Sequence, residues 1–220
     1  MDGIAFFDVD KTLLDINSAK LWVRREVSTG RLSRFLALKA VGWVLAYELG
    51  FARVEKAIEE AVQTLSGQEE SDLEQRVAAF YAEEVATRVR PGARDAVARH
   101  RAQGDAIALL TSASRYLGQH VKSAVEADHL LCNDFETDDQ GRFTGRPVMP
   151  LCYGPGKLAY AQKLARELGA RLEDCAFYTD SFSDLPVMEK VGHPVAVHPD
   201  PRLKRAALRR GWPIELWGFA

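Results

Sequence analysis

The run Ile4-Ala5-Phe6-Phe7 stops on Asp8-Val9-Asp10-Lys11-Thr12-Leu13-Leu14, and that abrupt change constrains the chain more than any other feature. Four apolar residues in a row suit one buried strand, and the carboxylates fall where such a strand leaves the core. Residues two apart on an extended chain point the same way, so Asp8 and Asp10 would face one small volume. Two carboxylates so placed repel unless a cation lies between them or one holds a proton. A hard divalent ion such as Mg²⁺, which takes oxygen ligands, resolves the conflict. An aspartate can also attack phosphorus and form an acyl-phosphate. The plain alternative is a strand ending in a solvated acidic turn.

Similar junctions recur three times. Ala106-Ile107-Ala108-Leu109-Leu110 reads as a strand covered on both faces. It runs into Thr111-Ser112-Ala113-Ser114, ahead of a helix expected over Tyr116 to Val125. A strand, a small polar turn and a helix start form an anion site; a simple helix cap is the alternative. Gly154-Pro155-Gly156 leads into a helix opened by Lys157. A lysine at the positive end of a helix is misplaced unless an anion lies nearby; a solvated surface lysine is the alternative. Cys175-Ala176-Phe177-Tyr178 ends in Thr179-Asp180-Ser181-Phe182-Ser183-Asp184, two more carboxylates at a strand end. Further strands are expected over His129 to Cys132, Pro194 to His198 and Pro213 to Trp217, with a hairpin over Phe135 to Phe143. Strands alternating with helices argue for a parallel sheet whose ligand lies beyond the strands' carboxyl ends.

Residues 15–90 read instead as helix: Ser18 to Val27, Phe35 to Phe51, Val54 to Leu65 and Ser71 to Val89. Phe35 to Phe51 carries only Lys39 and Glu48 as charges. It falls short of the roughly 20 apolar residues a membrane span needs. Burial in a small helical bundle is expected, with membrane or partner contact as the alternative. A chain of 220 residues, 47% hydrophobic, has material for a core and a smaller second unit. A net charge of -2 supplies no field for nucleic acid. Cys132, Cys152 and Cys175 lie too far apart for a zinc cluster or a disulfide framework, and the five histidines show no metal-ligand spacing. With no disulfide framework a reducing, cytoplasmic location is expected, and Asp8 comes too soon for a signal peptide.

The order DVDKTLL, LLTSAS, GPGK, YTDSFSD resembles the haloacid dehalogenase superfamily of phosphotransferases, in its phosphoserine-phosphatase-like branch. The resemblance implies a Rossmann-like α/β core over 1–15 and 89–220, with a helical cap over 16–88 inserted after the first strand. It implies a Mg²⁺-dependent phosphomonoesterase acting on a small phosphorylated metabolite through an aspartyl-phosphate. Asp8 is then the nucleophile and Asp10 the general acid/base. Ser112 (or, as a substitute, Thr111) and Lys157 hold the phosphoryl group. Asp8, Asp10 and Asp180 hold the metal, with Asp184 in support. Where phosphoserine phosphatases place a glutamate for the substrate's ammonium, this chain has the neutral Asn17, so phosphoserine specificity is not expected. The other readings are a membrane-docking phosphatase of a lipid-derived phosphate and a non-catalytic protein that binds phosphate or a partner.

Overall fold

The computed structural model describes residues 3–32 and 54–218. The apolar helix expected over Phe35 to Phe51 lies outside the described residues. Among those described, no helix is long and apolar enough to cross a membrane.

Strand β1 (Ile4–Phe7) is the centre of a six-stranded sheet. Its Ala5 and Phe7 side chains enter the core on one face, Ile4 and Phe6 the core on the other. All four residues are buried, which explains a continuous apolar run rather than an alternating one. On one side stand β2 (Ala106–Ser114) and then β3 (His129–Asn133). On the other stand β6 (Ala176–Thr179), β7 (His193–Val197) and β8 (Ile214–Glu215). Every pairing in this sheet is parallel. The chain builds outward from β1 in one direction and then returns to build in the other. The carboxyl ends of β1, β2 and β6 therefore border a topological switch point, where open α/β sheets leave a crevice.

Eight α-helices are described. Between β1 and β2 lie α1 (Ser18–Ser28), α2 (Val54–Gln63), α3 (Glu70–Phe80) and α4 (Pro91–Gln103). The expected helix over Ser71 to Val89 is broken: α3 loosens into a wide turn at Tyr81–Val85 and a tighter one at Ala86–Arg88. The remaining four are α5 (Arg115–Ala124), α6 (Pro155–Leu168), α7 (Leu185–Met188) and α8 (Pro201–Arg210). Their ends follow local chemistry. Proline stands in the first turn of α4 and α6, and left-handed glycines, Gly104 and Gly169, end them.

The helical insertion is fastened to a hairpin, β4 (Phe135–Thr137) and β5 (Phe143–Pro147). Gly67 N donates to Phe143 O at 2.8 Å, Phe143 N to Gln68 O at 3.0 Å, and Glu70 N to Gly141 O at 2.9 Å. Glu70 also accepts from the Tyr116 hydroxyl at 2.8 Å and pairs with Arg115, both on α5. Within the insertion Trp22 meets Phe80 edge-on at 5.2 Å, and Arg76 pairs with Glu26 at 2.5 Å.

Candidate active site

Beyond the carboxyl ends of the central strands a cleft of about 1840 Å³ opens between the sheet and α1, α2 and α3. It collects side chains from all four polar junctions: Asp8, Asp10, Ser112, Lys157, Asp180 and Asp184. The separate alternatives of acidic turn, helix cap and surface lysine do not describe this arrangement. Lys157 in particular is 3% exposed.

Asp8 follows β1 directly, in extended conformation, with Asp10 also extended and Lys11 left-handed at φ 59. This kink separates the two carboxylates' partners. Asp8 Oδ1 accepts from Lys157 Nζ at 2.7 Å. Both oxygens of Asp10 are taken by Ser18 at the start of α1, from its backbone N at 3.1 Å and its hydroxyl at 3.0 Å. The first helix of the insertion is thus tied to the acidic loop. Thr12 joins Asp8 to Asp180. Its hydroxyl accepts from Asp180 N at 3.0 Å and lies 3.4 Å from Asp8 Oδ2 and 3.5 Å from Asp180 Oδ1.

Lys157 arrives through a turn that only glycine permits. Gly154 has φ 50 and ψ -122, and a Cβ on Gly156 would drive into the Leu151 carbonyl. The ammonium then sits between Asp8 and Asp184 Oδ2, the latter at 2.8 Å. Asp184 Oδ2 also accepts from Thr179 at 2.7 Å, while its Oδ1 is buried without a hydrogen-bond partner. Ser112 is exposed to the cleft. Thr111 is 1% exposed and its hydroxyl accepts from Ala113 N at 3.1 Å, which occupies the expected substitute locally. Asn17 lines the cleft, but its side-chain oxygen caps α1 by accepting from Lys20 N at 3.0 Å.

Burial pushes the Asp8 carboxyl up to about 7. Lys157 pulls it down, and Asp184 pushes it up. Burial also raises Asp10, against the two Ser18 hydrogen bonds, and raises Asp180 well above its ordinary value, with Asp8 adding to the effect. For Lys157 burial works against the charge, but Asp184 and Asp8 outweigh it and the ammonium is held. A carboxyl raised in the fold binds protons the unfolded chain has released. Its stabilisation is complete below the unfolded value of 3.8 and is lost as pH rises through about 7. Asp180 has the same sign. Without divalent ions, the Tm is expected to fall between about pH 5 and about pH 8. Thermal unfolding in EDTA checks this, and a Tm rising across that window would contradict it.

Asp8 and Asp180, both buried and facing one hydroxyl, form an oxygen-only donor set whose mutual repulsion a cation would relieve. Among the described residues no three His, Cys, Asp or Glu side chains form a metal cage.

Four contacts lie beyond what the sequence indicates. Thr12 and Thr179 stand inside the acidic motifs and are readable as hydroxyls at strand ends. Ser18 and Asn133 carry no local signal. Asn133 is 2% exposed and donates to the Ser112 carbonyl at 2.7 Å. Two histidines also gain structural partners: His100 lies between Asp105 and the Tyr178 hydroxyl, and His198 accepts from Trp217 N.

Known proteins are similar to this chain over most of its length. The model of the haloacid dehalogenase-like hydrolases matches residues 5–189, from β1 past Asp184. A phosphoserine phosphatase of Mycobacterium tuberculosis is 32% identical over 219 residues, covering 97% of this chain and 70% of that protein. A histidinol-phosphatase of Neisseria meningitidis serogroup C is 25% identical over 218 residues, covering 97% of this chain and 98% of that one. A solved structure of a protein of unknown function from Bordetella pertussis Tohama I superposes with a TM-score of 0.87 at 29% identity, over 97% of this chain and 98% of that chain. The chain belongs to the haloacid dehalogenase-like hydrolase family and is a phosphatase.

Proposed function

We propose that this phosphatase is a Mg²⁺-dependent phosphomonoesterase of small phosphate esters, working through an aspartyl-phosphate on Asp8. The observation that supports it most is the buried Asp8 carboxylate, held at 2.7 Å by the Lys157 ammonium and facing Asp180 across Thr12. Residues 16–88 act as a helical cap over a core of 1–15 and 89–220. Mg²⁺ would be held by the carboxylates of Asp8 and Asp180 with an oxygen of Asp10, and when bound it offsets the repulsion between carboxylate and phosphate.

Asp8 attacks phosphorus, the ester P–O bond breaks, and the alkoxide takes a proton from Asp10. Asp10 is suited to carry that proton, because burial raises its carboxyl. Asp10 then removes a proton from water, whose oxygen attacks phosphorus, releases phosphate and regenerates Asp8. Lys157 and Ser112 bind the equatorial oxygens, where charge spreads in the transition state. Asp184 and Thr179 keep the ammonium pointed at the site. The cap holds the leaving group away from bulk water.

The two named relatives point to phosphorylated amino alcohols as the esters to try first. Asn17 argues against phosphoserine itself: it has no net charge, and its oxygen already serves α1. Losing a charge-assisted contact to the ammonium costs about tenfold to a hundredfold in affinity. The test is a panel of sugar, polyol and amino-alcohol phosphates with Mg²⁺ and with EDTA. Hydrolysis should require Mg²⁺, and phosphoserine should fall at least about tenfold below the best ester in kcat/KM. Full activity in EDTA would remove the metal, and phosphoserine in first place would reverse the role of Asn17.

A further inference from the structure

Asn133 stands at the junction of the two arms that reach the phosphate site. In the β2–β3 ladder Leu110 pairs with Leu131 and Ser114 with Asn133. Thr111, Ser112 and Ala113 therefore stand opposite the single Cys132, and β2 bulges at the residue that meets the cleft. Such a bulge re-aims a side chain but breaks the ladder. A partly buried carbonyl left unpaired there would be costly. Asn133 Nδ2 supplies the missing donor to Ser112 O at 2.7 Å. Its Oδ1 accepts from Cys152 N at 2.8 Å. Cys152 is fully buried and begins the tight turn through Gly154 and Gly156 that delivers Lys157. The two partners, one carbonyl and one N–H, dictate the amide's orientation. No carboxylate or aliphatic side chain of that size offers a donor and an acceptor together.

We propose that Asn133 is a positioning residue whose amide joins the Ser112 bulge to the Lys157 turn, so that both arms meet one phosphoryl group. This rests on the phosphate-binding reading of Ser112 and Lys157. Asn133 lines the cleft wall at 2% exposure with both amide atoms engaged, so it acts by fixing the separation of the two groups that bind the phosphoryl group. Preorganisation of this kind matters most for the transition state, whose oxygens need both donors at once.

The test is a double-mutant cycle with Asn133→Asp, which keeps the acceptor for Cys152 and loses the donor to Ser112. Inhibition by orthovanadate and kcat/KM for 4-nitrophenyl phosphate are measured with Mg²⁺, well below each variant's Tm. Asn133→Asp should weaken vanadate inhibition about tenfold in the wild-type background and less than about threefold beside Ser112→Ala. A merely structural residue would lower Tm but leave vanadate inhibition unchanged, or give the same loss in both backgrounds; either result overturns the proposal. If Asn133→Asp fails to fold, Asn133→Ala takes its place; it frees both arms, so its loss of vanadate inhibition should shrink beside Ser112→Ala without vanishing, and an undiminished loss there overturns the proposal. A silent Ser112→Ala would remove Ser112 from the phosphate site and the inference with it. A loss in Ser112→Ala with none in Asn133→Asp overturns the inference alone.

Discussion

Asp8→Asn should reduce turnover by roughly four orders of magnitude or more while leaving the fold intact. The amide matches the carboxylate in shape. Its oxygen can keep the bond from Lys157 Nζ that Asp8 Oδ1 now accepts at 2.7 Å. Its NH₂ would then face the Thr12 hydroxyl and Asp180, where Asp8 Oδ2 now lies 3.4 Å from Thr12. One buried negative charge disappears from a cluster that raises the Asp8 and Asp180 carboxyls. The variant should therefore melt no lower than wild type at pH about 8, where the wild-type carboxylate is ionised at a cost. What is lost is chemical: a neutral amide cannot form the acyl-phosphate. Retention of a tenth of the wild-type rate at unchanged Tm would remove Asp8 from the nucleophile's role.

That contrast between intact packing and lost chemistry reflects how the chain encodes the two. The core sheet is legible because its central strands are apolar on both faces, as β1 shows with Ile4 and Phe6 on one side and Ala5 and Phe7 on the other. The acidic clusters are legible because carboxylates directly after such strands have only the crevice to enter. Lys157 is ambiguous in sequence, since a lysine in a first helical turn has the same local pattern whether solvated or buried; its burial is decided by Asp8 and Asp184, far away in sequence. Thr111 to Ser114 read as a turn, whereas the strand continues to Ser114 with a bulge, because the partner strand determines where pairing resumes. Asn133 is out of reach for the same reason. Its partners are the carbonyl of Ser112 and the N–H of Cys152, and backbone groups leave no mark in a sequence.

Lys157→Met tests the electrostatics of the whole cluster, and it should damage both rate and stability. Methionine fills much the same volume without charge, so packing is largely kept. Loss of one preorganised donor to the transferring phosphoryl group costs about 10²–10³ in rate. Breaking a buried pair by removing one partner costs about 3–5 kcal/mol, because the remaining charges are left uncompensated. For a chain of this size that corresponds to a Tm lower by roughly 6–20 °C. The pH dependence separates this cause from a packing defect. In wild type Lys157 is charged in both folded and unfolded chains below its unfolded value near 10.5, so its own charge does not change across the neutral range. In the variant the Asp8 carboxyl loses the ammonium that lowers it and must titrate above about 7. Protonated at about pH 5, it needs no partner; at about pH 8 the fold must either keep it protonated or bury a bare charge. The Tm deficit of Lys157→Met, measured without divalent ions, should accordingly widen as pH rises from about 5 to about 8. An equal deficit at both ends would mean that Lys157 contributes shape rather than charge, and the ammonium would no longer explain how a carboxylate so deeply buried is held ready to attack.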